Sequence, residues 1–462
     1  MTRPWLERAS AALFLSVLAC APRGENAPPG ATPTASDAAG KPHILLLVVD
    51  TLRADHLSSY GYRRTTSPAI DALAARGVRF DRHRSQAPCT FPSMNSLLTS
   101  QPVETFFGQP QGDMSIPAGV ASLPGLLQAA GYVTAAFSAS PIVRKSASHF
   151  NQVGGFDRGF DLFDEECLWK DARCINERAR AALDRHRTGE PVFLLLHYID
   201  PHGPYQAPGK DRRRFARPGS GRGLGPEVRA GEPHAAAARL DRGEPTGVDA
   251  KGIAHWIDLY DDEIAWVDAR IGEMVAAFER AAEPRGALVM LAADHGESFF
   301  EHGTLGHCRS LFDTEIRTPL VVAGPGIPRG AVRDTLSENL DILPTLLDYA
   351  GVTAGKGAFA GRSLRPQIEL GAPAPARLQT SAFAGWRAGV EGGHKVMVNE
   401  VTGSLRLFDL EHDPGETADL AASERRTVTK LRRALATARP APPAALEAAR
   451  ETERQLRALG YL

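Results

Sequence analysis

The 462-residue chain has little surplus charge of either sign, few cysteines, and no apolar run long enough for a mature membrane span. Its formal net charge is -1, so no basic field exists to hold nucleic acid, and that partner is excluded. Five cysteines are too few for a disulfide scaffold. Cys167 and Cys174 are spaced to pair, and equally placed to stay as buried thiols. The apolar run Ala11–Ala19 has only the length of a signal-peptide core. With 43% hydrophobic and 23% charged residues, the chain is globular, and its length suggests two to three domains.

What is present begins with an export signature. Arg3 and Arg8 flank a short start, and the apolar run ends Val17-Leu18-Ala19-Cys20. A small residue before cysteine resembles the bacterial lipobox, in which Cys20 becomes the lipidated N-terminus. The following stretch, up to Lys41, is rich in Pro, Ala, Gly and Thr and reads as a flexible tether. The expectation is a signal peptide over 1–20, a tether over 21–41, and an exported lipoprotein. It would be held on the membrane through Cys20 and face the periplasm or cell surface. An ordinary cleaved signal is the plainer alternative. An exported chain can keep disulfides.

The run His43–Val49 is continuously apolar and ends in Asp50, which suits a central parallel strand covered on both faces. Val133–Phe137, Val192–Tyr198, Ala287–Ala293 and Pro319–Ala323 have the same texture. Helical patterns lie between them at Ile70–Arg76, Ser93–Thr99, Leu123–Ala130 and Ile253–Phe278. In the last, Ile264, Val267, Ile271, Met274 and Phe278 recur every three or four residues and form one core-facing stripe. This alternation predicts an α/β fold with a doubly wound, mostly parallel sheet over 42–370. Ligands in such folds sit at the carboxyl ends of the strands. Lys210–Val248, rich in Arg, Gly, Pro and Ala, reads as a surface insertion beside the site. From about Gly371 the texture changes to short strands and a charged helix, which predicts a smaller α+β C-terminal domain over 371–462.

Three distant segments supply candidate metal ligands. Asp50 closes the first strand, Asp294 and His295 close Ala287–Ala293, and Thr90 stands at the start of a helix with Pro92 in its first turn. A hydroxyl at a helix N-terminus faces unpaired N–H groups and the positive dipole end, which favours an alkoxide and receives anionic oxygens. Singly, each residue has an ordinary reading as a cap, a loop acid or a turn. Together they describe a cation beside an activated hydroxyl.

Asp294-His295-Gly296-Glu297, followed by Glu301-His302-Gly303, resembles the strand-end motif of the sulfatase family of the alkaline-phosphatase superfamily. Pro92-Ser93-x-x-Ser96-Leu97-Leu98-Thr99 is similar to the helix that follows that family's nucleophile. Asp200-Pro201-His202-Gly203-Pro204-Tyr205, Asp341-Ile342-Leu343-Pro344-Thr345-Leu346-Leu347 and Leu407-Phe408-Asp409-Leu410-x-x-Asp413-Pro414-Gly415-Glu416-Thr417 match in the expected order. The resemblance implies an alkaline-phosphatase/sulfatase-like fold and a metal-dependent hydrolase of sulfate or phosphate esters. Related chemistries are a phosphoglycerol- or phosphoethanolamine-type transferase, or an inactive lipoprotein that binds an anion or glycan. The substrate would be a small-molecule, glycan or lipid ester.

The departures from the family pattern are specific. The family's Cys-x-Pro-x-Arg, whose cysteine becomes formylglycine, stands here as Thr90-x-Pro92 with Met94 for the arginine. Cys89 lies one residue too early, and is expected to be a packed thiol. The second acid of the usual pair is Thr51, His295 takes a place often held by asparagine, and Ser138-Ala139-Ser140 replaces the lysine-bearing segment. The expected metal set is therefore Asp50, Thr90, Asp294 and His295, with Thr90 also the nucleophile. One divalent ion is expected rather than two. Zinc or manganese is favoured, with calcium or magnesium as alternatives. His202 and His307 are candidate leaving-group acids or oxyanion partners. Arg53 is a candidate anion clamp and His302 a substrate or supporting residue, while His197, inside a strand, is expected to face packing.

Overall fold

The computed structural model describes residues 40–438, apart from short stretches at 106–114, 117–118, 170, 187–188, 210–213, 217–218 and 354–357. The stretch expected to be a signal peptide, nearly all of the expected tether and the last part of the C-terminal region lie outside the described residues. Eight strands form the main sheet: β1 (His43–Val49), β2 (Val78–Phe80), β3 (Val133–Ser138), β4 (Leu162–Asp164), β5 (Val192–Tyr198), β6 (Ala287–Ala293), β7 (Leu320–Ala323) and β8 (Ala331–Arg333). Their spatial order is β8-β2-β7-β6-β1-β5-β3-β4. All neighbours run parallel except β7, which is antiparallel to both β6 and β2. An α/β sheet of this kind was expected; the reversal of β7 was not, because an apolar tetrapeptide carries no sign of its direction.

β1 lies between β5 and β6 and is buried on both sides, which explains its unbroken apolar sequence. Leu45, Leu47 and Val49 face one core with the long helix Ala250–Ala281, whose Ile264, Val267, Ile271, Met274 and Phe278 form the predicted stripe. Ile44, Leu46 and Val48 face the other core, with the helix Thr90–Thr99 and the helix Ile342–Tyr349. Helices on both faces put the loops after β1, β5 and β6 at one edge, where Asp50, Asp200 and Asp294 emerge. Among the described residues, no helix is long and apolar enough to cross a membrane.

The C-terminal unit is an antiparallel meander of β9 (Gln379–Phe383), β10 (Trp386–Glu391), β11 (His394–Asn399) and β12 (Leu405–Asp409), followed by a helix at Arg425–Ala438. It docks against the main α/β domain through an apolar cluster of Phe383, Ala388, Met397 and Phe408 with Leu311, Phe312 and Ile316. A fully buried Lys395 crosses the same junction. Its Nζ meets Asp313 at 2.9 Å and Glu416 at 2.7 Å, while Glu416 also accepts the Asp313 N–H. The Asp413–Thr417 motif thus locks the small sheet to the large one.

Two disulfides are present among the described residues, Cys167–Cys174 and Cys89–Cys308. The second corrects the expectation of a packed thiol at Cys89. The Cys308 N–H donates to Pro88 O at 2.7 Å, which brings together two thiols 219 residues apart. Local sequence carries no trace of that pairing.

Candidate functional site

Continuing the alternation of their strands, Asp50 and Asp294 rise from the even-numbered face of β1 and β6, toward the helix Thr90–Thr99. Both are buried. Asp294 Oδ1 accepts the N–H groups of His295 at 2.8 Å and Thr51 at 3.3 Å. Its Oδ2, and Asp50 Oδ1, have no hydrogen-bond partner. His295 Nδ1 lies 2.9 Å from Gly296 O, and because a carbonyl only accepts, that nitrogen carries the proton. Nε2 is then bare, 3.7 Å from Asp50 Oδ1 and 3.5 Å from Asp294 Oδ2.

Ligand atoms of Asp50, Asp294 and His295 all lie within 4.8 Å of one another, the one such group among the described residues. Burial pushes the Asp50 carboxyl well above its usual range, and the charges of Asp294 and Glu297 add to the push. For Asp294 burial acts in the same sense, but His295 and then His197 outweigh it and keep that carboxylate ionised. Two buried carboxylates with orphaned oxygens and a bare imidazole nitrogen fit a divalent cation, which would let both acids ionise.

Thr90 is the first residue of its helix, with Cys89 in extended conformation before it. The entry is held by Ser93, whose hydroxyl donates to Ala87 O at 2.7 Å. Thr90 Oγ1 lies 3.1 Å from His295 Nε2, the imidazole nitrogen of the group formed by Asp50, Asp294 and His295.

A chain of imidazoles extends from this point. The rings of His295 and His307 lie 4.6 Å apart, those of His307 and His202 4.9 Å, and those of His202 and His234 5.7 Å. His202 stands between two cis prolyl bonds and directs Nδ1 at Gly203 O, 2.6 Å away. Burial drives the basicity of both His202 and His307 well down, and neighbouring histidines add to it. Both rings are therefore neutral in the free protein. Trp169, from the loop closed by Cys167–Cys174, rests 5.8 Å from the His202 ring.

Two expectations are corrected. Arg53 is not free to clamp an anion: its guanidinium is engaged by Asp55, Glu301 and the Glu297 carbonyl, all in a buried position. His302 lies flat on Phe312, with ring centroids 3.6 Å apart and planes within 8°, so its role is packing at the domain junction.

Three residues were missed. Glu297 is buried, with Oε1 3.3 Å from His307 Nδ1, and burial lifts its carboxyl to about 7. Its place in the Asp-His-Gly-Glu motif was the available signal. His197, expected in packing, is wholly buried on the same face as the acids, with Nε2 3.9 Å from Asp294 Oδ2 and neither nitrogen hydrogen-bonded. His234 comes from the insertion, on the helix Pro233–Asp241. In the same helix Asp241 pairs with Arg309 at 2.7 Å, which fastens the insertion over the His307 turn. Asp261, Asp262 and Asp268 accept hydrogen bonds from Tyr62, Phe215 and the N-terminus of the helix Pro68–Ala75, and so serve structure.

Residues 42–352 match the family model described as Sulfatase. The choline-sulfatase of Rhizobium meliloti (strain 1021) is 26% identical over 445 residues, covering 84% of this chain and 83% of its own length. The multifunctional alkaline phosphatase superfamily protein PehA of Trinickia caryophylli is 25% identical over 413 residues, with 73% and 79% covered. The structure of the phosphonate monoester hydrolase of Agrobacterium radiobacter superposes with a TM-score of 0.66 at 20% identity, covering 91% of this chain and 96% of that one. The fold, the paired strand-end acids and the matched span agree. This chain belongs to the sulfatase family, as a hydrolase of sulfuric or phosphoric esters.

Proposed function

We propose that the ester is cleaved in two displacements with Thr90 as the nucleophile, in an exported protein anchored through lipidated Cys20. The observation that carries this reading is the 3.1 Å approach of Thr90 Oγ1 to His295 Nε2, in the same buried space as the orphaned oxygens of Asp50 and Asp294. A divalent cation held by Asp50, Asp294, His295 and Thr90 would supply the positive charge that lowers the hydroxyl pKa and polarises the ester. With Thr51 in place of a further acid, the set has fewer carboxylates than calcium prefers and suits zinc or manganese.

In the first displacement, Thr90 Oγ forms a bond to sulfur or phosphorus and gives its proton to water, while the bond to the ester oxygen breaks. The anionic ester brings negative charge beside His202 and His307 and raises their basicity. A ring protonated in this way gives its proton to the departing alcohol oxygen. Glu297 holds the His307 ring in place through Nδ1. In the second displacement, water attacks the group on Thr90, inorganic sulfate or phosphate leaves, and the threonine hydroxyl is restored. Burial of the machinery under the insertion keeps solvent from competing in the first step.

Two disulfides among the described residues support an oxidising compartment, in keeping with export. The test is a panel of nitrophenyl sulfate, phosphate and phosphodiester probes, assayed with metal-stripped protein reloaded with single metals. Turnover of at least one ester that Thr90→Ala abolishes is expected. Full activity in Thr90→Ala, or in stripped protein, overturns the reading.

A further inference from the structure

The Cys89–Cys308 disulfide joins the residue before Thr90 to the residue after His307. Those two side chains come from opposite halves of the chain, and no other covalent link holds them. The bridge is short in reach, with the two Cα atoms 4.8 Å apart. Both cysteines are buried, with 3% and 1% of their surface exposed, against the cluster that docks the C-terminal sheet.

The backbone around His307 shows what the bridge restrains. Gly306 and Cys308 both have positive φ, 85° and 61°, so His307 is presented from a turn with left-handed residues on either side. For cysteine that conformation is unfavourable and persists only where surroundings impose it. Here the Cys308 N–H donates to Pro88 O, and Arg309 donates to the His307 carbonyl at 2.8 Å while paired to Asp241. The disulfide is the covalent member of this set. On its other side it holds Cys89, the extended residue that directs Thr90 into the helix.

We infer that the Cys89–Cys308 bridge is a positioning element for catalysis, which fixes the nucleophile Thr90 against the leaving-group imidazole His307. This rests on the roles given to those two residues above. Three of the four cation ligands, Asp50, Asp294 and His295, are not tied together by the bridge, so its removal should cost far more in turnover than in cation binding. Reduction is balanced by a dithiol, which gives two electrons and two protons to the bridge and is itself oxidised to a disulfide.

The test compares the full chain with its Cys89→Ser/Cys308→Ser double variant and with Thr90→Ala. For each, bound metal, kcat and KM on the best nitrophenyl ester, and the thermal midpoint are measured, with assays far below that midpoint. The double variant is expected to keep its cation through Asp50, Asp294 and His295 and to lose roughly ten- to hundred-fold in kcat, the scale of a displacement of about an ångström in the reacting groups. A bridge that serves folding alone would lower the thermal midpoint and leave kcat unchanged, which overturns the inference. Should the double variant not accumulate as folded protein, the parent is refolded with excess dithiothreitol under nitrogen, and its thiols are alkylated and counted by mass. Specific activity that tracks the bridged fraction supports the inference; activity independent of that fraction overturns it. Loss of activity in Thr90→Ala beside a fully active double variant removes this inference and keeps the mechanism. An active Thr90→Ala removes the mechanism itself.

Discussion

Tyr260 connects the long helix Ala250–Ala281 to the turn that carries Asp50, and Tyr260→Phe isolates that connection. The hydroxyl accepts the Arg53 N–H at 3.0 Å and donates to Thr51 O at 2.7 Å. Burial raises the phenol pKa well above its normal value, so the donor proton is always present. Between these two contacts Thr51 sits at φ 57°, a left-handed conformation that a β-branched residue adopts only under restraint. Phenylalanine keeps the ring packing against His56, Tyr205 and Phe299 and removes the hydroxyl alone. A buried N–H and a buried carbonyl then lose their partner, at roughly 1–3 kcal/mol each, so the variant is expected to lose roughly 2–6 kcal/mol. The same turn sends the Thr51 N–H to Asp294 Oδ1, so its relaxation shifts Asp50 relative to Asp294. Cation affinity should fall by roughly ten- to hundred-fold, as for other groups that orient ligands. Urea unfolding of the metal-free protein gives the first quantity and chelator competition the second. An unchanged unfolding midpoint together with unchanged cation affinity would refute the reasoning.

Lys395→Met removes the ammonium that bridges Asp313 and Glu416 in a fully buried setting and leaves Asp313 to Arg84 alone. It should destabilise the protein by roughly 3–5 kcal/mol, and adding Glu416→Gln should recover part of that in a double-mutant cycle of urea midpoints. His83, buried between Ser337 and Asn339, is lowered from 6.5 to about 4 by burial. Its folded pKa lies below the unfolded value, so the unfolded chain takes up the proton first. Stability is therefore full above pH 6.5 and falls as pH drops toward 4, by about 3 kcal/mol for this group. His83→Gln should flatten that limb of a thermal-midpoint profile, and an unaltered slope would contradict the assignment.

The main architecture was legible because the central strands are buried on both faces, and burial of that kind writes an unbroken apolar run. The short strands Val78–Phe80 and Ala331–Arg333 are three residues long and leave no period to detect. At the site, Asp50, Asp294 and His295 could be read because each ends an apolar run, and Thr90 because Pro92 marks a helix start. His197 was misread since a histidine inside a strand looks the same whether its ring meets carbon atoms or a carboxylate. Arg53 and His302 were misassigned for a related reason: their partners Asp55, Glu301 and Phe312 are fixed by the path of the chain, and nothing in the residues marks them as spoken for. His234 and the Cys89–Cys308 bridge depend on segments far apart in sequence, and only the fold reveals them.

The most direct test of the account is to catch the group on its acceptor. Metal-loaded protein turning over its best ester is quenched in acid, digested, and the peptide that contains Thr90 is examined by mass spectrometry. The account predicts one added sulfuryl or phosphoryl group on Thr90 that vanishes once substrate is exhausted, and its absence in Thr90→Ala. A group found on another residue, or Thr90 unmodified throughout rapid-quench time points in an enzyme that releases alcohol in a burst, would contradict it.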